Sequence, residues 1–413
     1  MRKSHSKNAK YCIALFLAVF FLGGQPVEFG KEKSFFQGYL IPKPIIRIGL
    51  GINLTDVKIS AASGMNIYEV KPNYRLLAND TDEIFINRDR EELSKIIYFI
   101  PNSQQSYLSY KGRDYRGIFV LKASSKGIVI INILNLEDYL KSVVPSELCP
   151  YTFHEFEAHR AQAVAARTYA IKNLGMNEDL GFDLYDTPKS QYYKGMNAEH
   201  PMSSMAVEQT QGQVALYDGK LIDALYTSSC GGMTENVEEI FRGFPLPYLR
   251  STECDYERQR EWLVNCDNNV FPVNTNILGQ NSSPDSWHAN KTKKELEKRI
   301  NRYYPIGELI DLIPLRRGHS KRVVELLISG SKTQIIVKGL KIRRVLGLRE
   351  TLFVIYREYD KEGRITNFIF SGRGQGHGVG LCQVGAYGMA LAGADYKEIL
   401  KKYYHGIKIS KIY

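Results

Sequence analysis

The sequence predicts an α+β fold: mixed, largely antiparallel sheets with a few short helices around one active-site cleft. Three observations carry this. Between Pro44 and Leu134, apolar and polar side chains alternate in short runs separated by turn residues, the period-two pattern of strands. From about His154 to Leu174 the rhythm becomes that of a helix rich in small residues (Ala158, Ala161, Ala163, Ala165, Ala166, Ala170), closed by Gly175. Strand-like runs then resume, with RVVELLISG and TQIIVKG forming a hairpin-like pair.

The 413 residues are enough for a large core and two or three domains. Residues 1–24 join a basic segment to the apolar run YCIALFLAVFFLGG. That is the form of a secretory signal, and it is short for a membrane span. No Ala-x-Ala site follows, so an uncleaved N-terminal membrane anchor stays open, and Cys12 begins the apolar run where a lipoprotein cysteine would not be. The expected location is therefore the periplasm, cell envelope or extracellular wall. The net charge is +11, and removing Arg2, Lys3, Lys7 and Lys10 with the leader leaves +7. Such a surplus suits an anionic polymer such as cell wall, and equally nucleic acid or a membrane surface.

Residues 25–43 read as a linker and 44–130 as an N-terminal β-rich region. The latter contains IIRIGLGINLTDVKISAAS, EIFINRD, KIIYFIPN, SYLSYKGRDYRGIFVLKAS and the start of GIVIINIL. It has no cluster of His, Cys or carboxylates at catalytic or metal spacing, so it reads as scaffold or binding surface. Residues 131–413 form the expected catalytic core. Its first stretch, Asn135 to Gly175, is apolar, breaks at Pro145, places Glu147 in the turn and enters the alanine-rich helix. Arg160 and Arg167, seven apart, share one helical stripe. GFDLYDTPKSQYYKG follows as a loop, then a helix at Ser203 to Thr210 and a hairpin around Asp218-Gly219. Ser251 to Pro305 is polar and irregular apart from a capped helix at Thr292 to Tyr304. KIRRVLGL reads as a short helix, TLFVIYREYD and ITNFIF as strands, and about Asp395 to Tyr404 as the last helix.

VVPSEL followed by AQAVAARTYA resembles the first signature of the SpoIID/LytB family of peptidoglycan-acting proteins. SGRGQGHGVGLCQVGAYGMALAG (Ser371 to Gly393) is similar to its second signature, and TSSCGGMTENVEEIF (Thr227 to Phe241) resembles its Gly-Gly segment. The order also matches, so the resemblance covers about Pro44 to Tyr413. It implies that Glu147 is the catalytic acid of a lytic transglycosylase. It further implies that Arg167, Gln191, Tyr193, Ser228, Ser229, Arg373, His377 and Gln383 bind substrate or support the site. Some relatives carry a Cys…His-Cys metal set in the loop after the helix. Here Tyr185, Lys189 and Ser190 stand at those positions, so no metal and no other cofactor is expected.

One carboxyl suffices for such a reaction. It protonates the oxygen between N-acetylmuramic acid and N-acetylglucosamine, then takes the proton of the muramic 6-hydroxyl as a 1,6-anhydro ring closes. A water-using glycosidase normally needs a second carboxylate. The acid has to be protonated, so its pKa should be raised by an apolar wall, with Val143, Val144, Leu148 and Phe153 available. A cation as close as Arg160 or Arg167 would lower it. The plainer reading makes Glu147 a helix-start residue favoured by the macrodipole.

The resemblance thus implies an exported lytic transglycosylase acting on peptide-stripped glycan strands, in cell-wall remodelling at septal division or sporulation. Its expected partners are those strands and an N-acetylmuramoyl-L-alanine amidase, and not nucleic acid. The alternative is a LytB-type amidase enhancer that binds peptidoglycan without chemistry of its own. A third class is a cysteine-dependent hydrolase or acyltransferase using Cys382 or Cys149.

Five cysteines remain after the leader. Cys230 and Cys254 flank the Gly-Gly segment and are the expected disulfide, with Cys254–Cys266 as the alternative. Zinc is disfavoured because the spacings of Cys230, Cys254 and Cys266 lack a tight ligand pair. In SGRGQGHGVG, glycine at every second position is expected to leave one face of an extended segment bare. No Lys-Ser/Thr pair follows, which excludes a phosphate-binding loop. His154 and His159, five apart, diverge by roughly 140° around a helix, which disfavours shared ligation with Cys149.

Overall fold

β-Branched and aromatic residues dominate the first runs of the chain, and these runs pair into a nine-stranded sheet. The structure, a computed structural model, describes residues 44–70, 75–87, 96–103, 105–124, 127–241, 243–254 and 286–413. The expected leader, the linker and Cys266 lie outside the described residues. The sheet runs in the order Arg113–Tyr115, Leu108–Tyr110, Asp56–Val70, Ile96–Pro101, Ile118–Ser124, Gly127–Asn135, Ile45–Leu54 and Leu184–Tyr185. Arg75–Asn87 pairs with Asp56–Val70. All pairings are antiparallel except that of Leu184–Tyr185 with Ile45–Leu54. The expected runs between Pro44 and Leu134 become strands, but Arg75–Asn87 begins before the expected EIFINRD, and Leu184–Tyr185 comes from the segment expected as a loop.

Gly127–Asn135 is buried over all but its last residue, because helices cover the sheet there. Asn135 ends the strand and caps helix α1 (Leu136–Glu147), its side chain accepting the Glu137 N–H at 2.9 Å. The chain does not break at Pro145. α1 runs through it, because in the last turn a proline forfeits only the bond to the Lys141 carbonyl. The Leu148 N–H still closes on Val144 O at 2.9 Å.

Helix α2 (Phe156–Lys172) explains its alanines. Ala163, Ala166 and Ala170 pack into the core under the large sheet, with Ile46, Ile130, Tyr139 and Val143. Ala158, Ala161 and Ala165 pack into a second core with Leu381, Tyr387, Leu400 and Tyr403. A helix buried on two sides needs small residues all round, and this one stands between the two cores.

The second core gathers α4 (Val237–Phe241) and a hairpin of Gln213–Tyr217 with Lys220–Leu221, whereas α3 (Pro201–Gln209) sends Val207 into the first core. Asp218 and Gly219 take φ of 48° and 73°, the left-handed pair of a tight hairpin turn. Lys408–Lys411 pairs on the hairpin's other side.

A third core lies between two three-stranded sheets and two helices, α5 (Lys293–Asn301) and α6 (Lys341–Leu346). One sheet is Leu309–Arg317, Val323–Gly330 and Gln334–Lys338; the other is Ser286–Thr292, Ile365–Arg373 and Phe353–Tyr359. Ser286–Thr292 corrects the expectation of irregular chain before Thr292: its polar residues pair along the whole of Asn367–Arg373. Two C-terminal helices, α7 (Gln383–Leu391) and α8 (Tyr396–Tyr403), return to α2; α7 was not foreseen because Gly385 and Gly388 weaken its helical pattern. No helix among the described residues is long and apolar enough to cross a membrane.

Candidate active site

Glu147 is the last residue of α1. The macrodipole there is negative, so the helix opposes the charge rather than favouring it, contrary to the plainer sequence reading. The residue is half-buried, and removal from water pushes its pKa up to about 7. Hydrogen bonds from the Tyr192 N–H (2.7 Å), the Tyr226 hydroxyl and the Gln383 side chain act the other way, as does the more distant charge of Lys194. Burial wins. The carboxyl is thereby poised to exchange a proton near neutral pH, as a general acid requires.

The groups on Glu147 are themselves fixed. Tyr226 Oη accepts the Gln191 Nε2–H at 3.0 Å, and Gln191 Oε1 accepts the Tyr139 hydroxyl at 3.2 Å. Gln191 Nε2 also reaches Ala166 O in α2 at 3.3 Å. Gln383 begins α7 and donates to Gln162 Oε1 of α2 at 3.3 Å. The strand Tyr226–Thr227 pairs in parallel with Leu381–Cys382. The first signature, the tyrosine just before the Gly-Gly segment and the last signature thus meet at one carboxyl.

The glycine run is not extended. Gly374, Gly376, Gly378 and Gly380 all take positive φ, 80°, 118°, 71° and 74°, and the segment arches over Leu225 to Gly231. At Gly380 a Cβ would come within 2.1 Å of the Leu225 carbonyl oxygen, so only glycine allows the approach. Thr227 Oγ1 pins the arch by accepting the N–H groups of His377 (3.1 Å) and Gly378 (3.2 Å).

His377 sits within this arch and does not reach Glu147 directly. Its Nδ1 accepts the Val379 N–H at 3.1 Å, and the ring hydrogen-bonds the Tyr226 backbone. Burial, with the charges of Arg343 and Arg322 behind it, lowers its pKa to about 4, so the ring is neutral. It positions Tyr226.

The other sequence-derived residues divide. Ser228 is exposed, and its carbonyl accepts the Val384 N–H beside Gln383 at 3.1 Å. Ser229 is buried, its backbone paired in both directions with Gln375. Arg167 is fully buried: it forms an ion pair with Glu137 at 2.7 Å and donates to the carbonyls of Val207 (3.1 Å) and Gln213 (3.2 Å). All of these partners are internal to the fold. Tyr193 is equally internal, donating to Asn132 Oδ1 at 2.7 Å and packing on Tyr139 and Tyr115. Arg373 lies at the end of its strand, with its Cβ and backbone beside Gly231. Tyr139, Gln162 and Tyr226 escaped the sequence reading. Gln162 lies inside AQAVAART and Tyr226 just before TSSCGG, so adjacency to the motifs is the signal that could have found them.

The loop positions that hold a metal in some relatives carry local contacts: Lys189 Nζ lies 4.7 Å from the Tyr185 ring centre, and Ser190 Oγ accepts the Tyr185 N–H at 3.1 Å. The Cys230–Cys254 disulfide is not formed. Both residues, with Cys382, are buried thiols outside any disulfide, which also removes Cys254–Cys266. The reason is geometric: Cys382 enters the same cluster, and peptide N–H and hydroxyl groups engage the sulfurs. Cys149 is disulfide-bonded. Cys149 is therefore not available as a thiol nucleophile, and Cys382 is fully buried. His159 turns inward to Phe153 O (2.6 Å) and Ser203 Oγ (3.1 Å), while His154 meets the Tyr387 hydroxyl.

Residues 124–217 match the model of the SpoIID family, described as stage II sporulation protein, and residues 235–380 match a domain of unknown function, DUF8618. An uncharacterised protein of Brachyspira hyodysenteriae is 31% identical over 87% of this chain and 92% of its own length. The stage II sporulation protein D of Bacillus subtilis is 30% identical over 72% of this chain and 82% of its own length. The chain belongs to the SpoIID/LytB family. Its likeness to the amidase enhancer of Bacillus subtilis is 29% identity over 66% of this chain and 40% of that protein. The SpoIID match spans both Glu147 and Gln191, while Gln383 falls beyond the second matched region.

Proposed function

We propose that this SpoIID/LytB protein is an exported lytic transglycosylase that cleaves between N-acetylmuramic acid and N-acetylglucosamine in peptide-stripped glycan strands. The single observation that carries the reading is Glu147: a half-buried carboxyl with its pKa pushed up to about 7, held by three hydrogen-bonding groups. As the acid it protonates the departing glycosidic oxygen. As the resulting carboxylate it accepts the proton of the muramic 6-hydroxyl, whose oxygen closes on C1 to give the 1,6-anhydro end. The proton count returns to its start, and one residue performs both transfers. Gln383 and the Tyr226 hydroxyl hold the carboxyl in place through both.

The apolar leader supports delivery to the cell envelope, where this substrate lies, with the membrane anchor an open variant of the same export. An amidase would supply the stripped strands, so the enzyme would act after it in wall remodelling. The relative named amidase enhancer favours a second reading, in which the chain binds peptidoglycan and stimulates that amidase.

The test compares intact sacculi with amidase-treated strands as substrates of the purified chain. Release of anhydro-muramic ends from treated strands alone is expected. Equal release from both would remove the preference for stripped strands, and reducing ends would indicate hydrolysis by water. No turnover on either, together with stimulation of an added amidase, would establish the second reading instead.

A further inference from the structure

Three cysteines that no linear spacing connects meet in the second core. Cys230 precedes the Gly-Gly turn, Cys254 follows the segment after Leu249, and Cys382 is the N-cap of α7. Their sulfurs all lie within 4.8 Å of one another, and all three residues are fully buried. Buried cysteine often serves as a small apolar residue. Here, however, polar groups converge on the sulfurs. Cys382 Sγ accepts the N–H of Cys230 at 3.3 Å and that of Gly385 at 3.4 Å, and the Tyr403 hydroxyl lies 3.0 Å from Cys254 Sγ. Such donors stabilise electron-rich sulfur, as the outer shell of a metal–thiolate centre does. The N-terminus of α7 also favours negative charge on Cys382. The buried Arg322 guanidinium, ion-paired with Glu350 at 3.2 Å, donates to the Cys230 carbonyl at 2.7 Å and fixes the backbone there. At Gly385 a Cβ would come within 1.9 Å of Tyr403 Oη and 2.2 Å of Cys254 Sγ. The first turn of α7 can seat on the cluster only because that position has no side chain.

We propose that Cys230, Cys254 and Cys382 form a three-thiolate site for a thiophilic d10 cation, zinc(II) or copper(I). A zinc–sulfur bond of about 2.3 Å sets sulfur–sulfur distances of about 3.8 Å, so the trio has to contract by about 1 Å at most. Copper(I) is satisfied by soft sulfur ligands alone, whereas zinc takes a fourth ligand, for which the Tyr403 hydroxyl is at hand. Binding exchanges three thiol protons for the cation, and those protons leave to solvent. Spacing along the chain pointed away from metal because it considered Cys230, Cys254 and Cys266; the third sulfur comes from Cys382, in a different signature. The site shares no residue with the proposed glycosidic chemistry, which rests on Glu147. Its effect on the fold is to tie the Gly-Gly turn and the Cys254 segment to α7, and so to the helix that presents Gln383.

The experiment titrates the reduced full chain with cobalt(II), as a spectroscopic probe for zinc, and separately with copper(I) delivered from a competing chelator. One cation per chain is expected. Cobalt should give thiolate charge-transfer absorption and intense tetrahedral d–d bands, and either cation should protect three thiols from alkylation until a chelator is added. The arm with the tighter stoichiometric binding identifies the ion. Cys254→Ser and Cys382→Ser should each lower affinity at least 100-fold. A folded wild-type chain that binds neither ion stoichiometrically overturns the site without reference to any variant. So does a disulfide between two of the three in protein isolated from its own cells, or undiminished affinity in both serine variants. Should the variants not fold, the wild-type titration and alkylation pattern decide.

Discussion

The Tyr226 hydroxyl hydrogen-bonds the Glu147 carboxyl, and the backbone of the same tyrosine receives the ring of His377. Tyr226 is thus a strut between the carboxyl of the first signature and the glycine arch of the last. The arch acts on Glu147 through it, which explains why a loop without a second carboxylate belongs to the site.

Glu147→Gln keeps size and hydrogen bonding but removes the transferable proton. Turnover of stripped strands should fall by about 10² to 10⁴-fold, the usual range for general acid–base catalysis. Glu157→Gln should do far less, because Glu157 pairs with Arg160 at 2.9 Å and accepts the Tyr396 N–H, away from the carboxyl. Undiminished turnover by Glu147→Gln would falsify the reading.

The same substitution should stabilise the protein at alkaline pH. The folded pKa of about 7 lies above the ordinary 4.5, so the fold prefers the neutral acid. The associated stability is complete below about pH 4.5 and is lost as pH rises to about 7. The difference converts to about 3 kcal/mol as an upper value. Denaturant midpoints of wild type and Glu147→Gln should coincide near pH 4.5, with the variant higher above pH 7. Midpoints that track each other across this range would argue against a strained carboxyl.

Tyr226→Phe removes a hydrogen bond that favours the charged carboxylate. The Glu147 pKa should rise further, moving the alkaline fall of the rate to higher pH, while Gln191 loses one acceptor. The measurement is the pH profile of kcat/KM. A merely structural tyrosine would lower the rate at every pH and leave the profile where it was.

Much of this site was legible because its chemistry is local in sequence. Glu147, Gln191 and Gln383 lie in or beside motif strings, and each makes its contact there. The strands of the large sheet were legible for a related reason: alternation records burial on one face. What was hidden came from long-range packing. Pro145 reads as a break in one dimension, yet it falls in a last turn that tolerates it. Alternating glycines read as extended, yet the carbonyl of Leu225 and the hydroxyl of Thr227 press so close that the backbone turns left-handed there. The sequence leaves Arg167 open between binding substrate and supporting the site, because the buried Glu137 that pairs with it lies 30 residues earlier. Spacing also hid the cysteine trio, since Cys382 reaches it from another signature.

Acid should unfold the protein partly through histidine. His159 is fully buried, with its pKa lowered from 6.5 to about 4 mainly by loss of hydration. A neutral histidine is favoured by the fold, so its stability contribution is present above pH 6.5 and is lost as pH falls towards 4. That amounts to about 3 kcal/mol at most. In urea titrations, His159→Gln should lose less stability than wild type between pH 6.5 and 4. An identical loss in both would assign the acid sensitivity to other groups.

Arg167 separates a structural contribution from a catalytic one. It is wholly buried and bidentate to Glu137, with Nε–Oε1 at 2.9 Å and Nη2–Oε2 at 2.7 Å. Arg167→Met leaves Glu137 buried beside the Tyr413 hydroxyl and the Gly212 N–H but without its cation. Breaking such a pair from one side costs about 3–5 kcal/mol, because the remaining charge has no partner. Arg167→Met with Glu137→Gln should recover part of that loss, since no charge is then stranded. Turnover per folded molecule should stay within a few-fold of wild type in both, because neither side chain touches the Glu147 carboxyl. Stability comes from denaturant melts, and activity is normalised to the folded fraction. A large loss of turnover with stability intact would return Arg167 to the substrate.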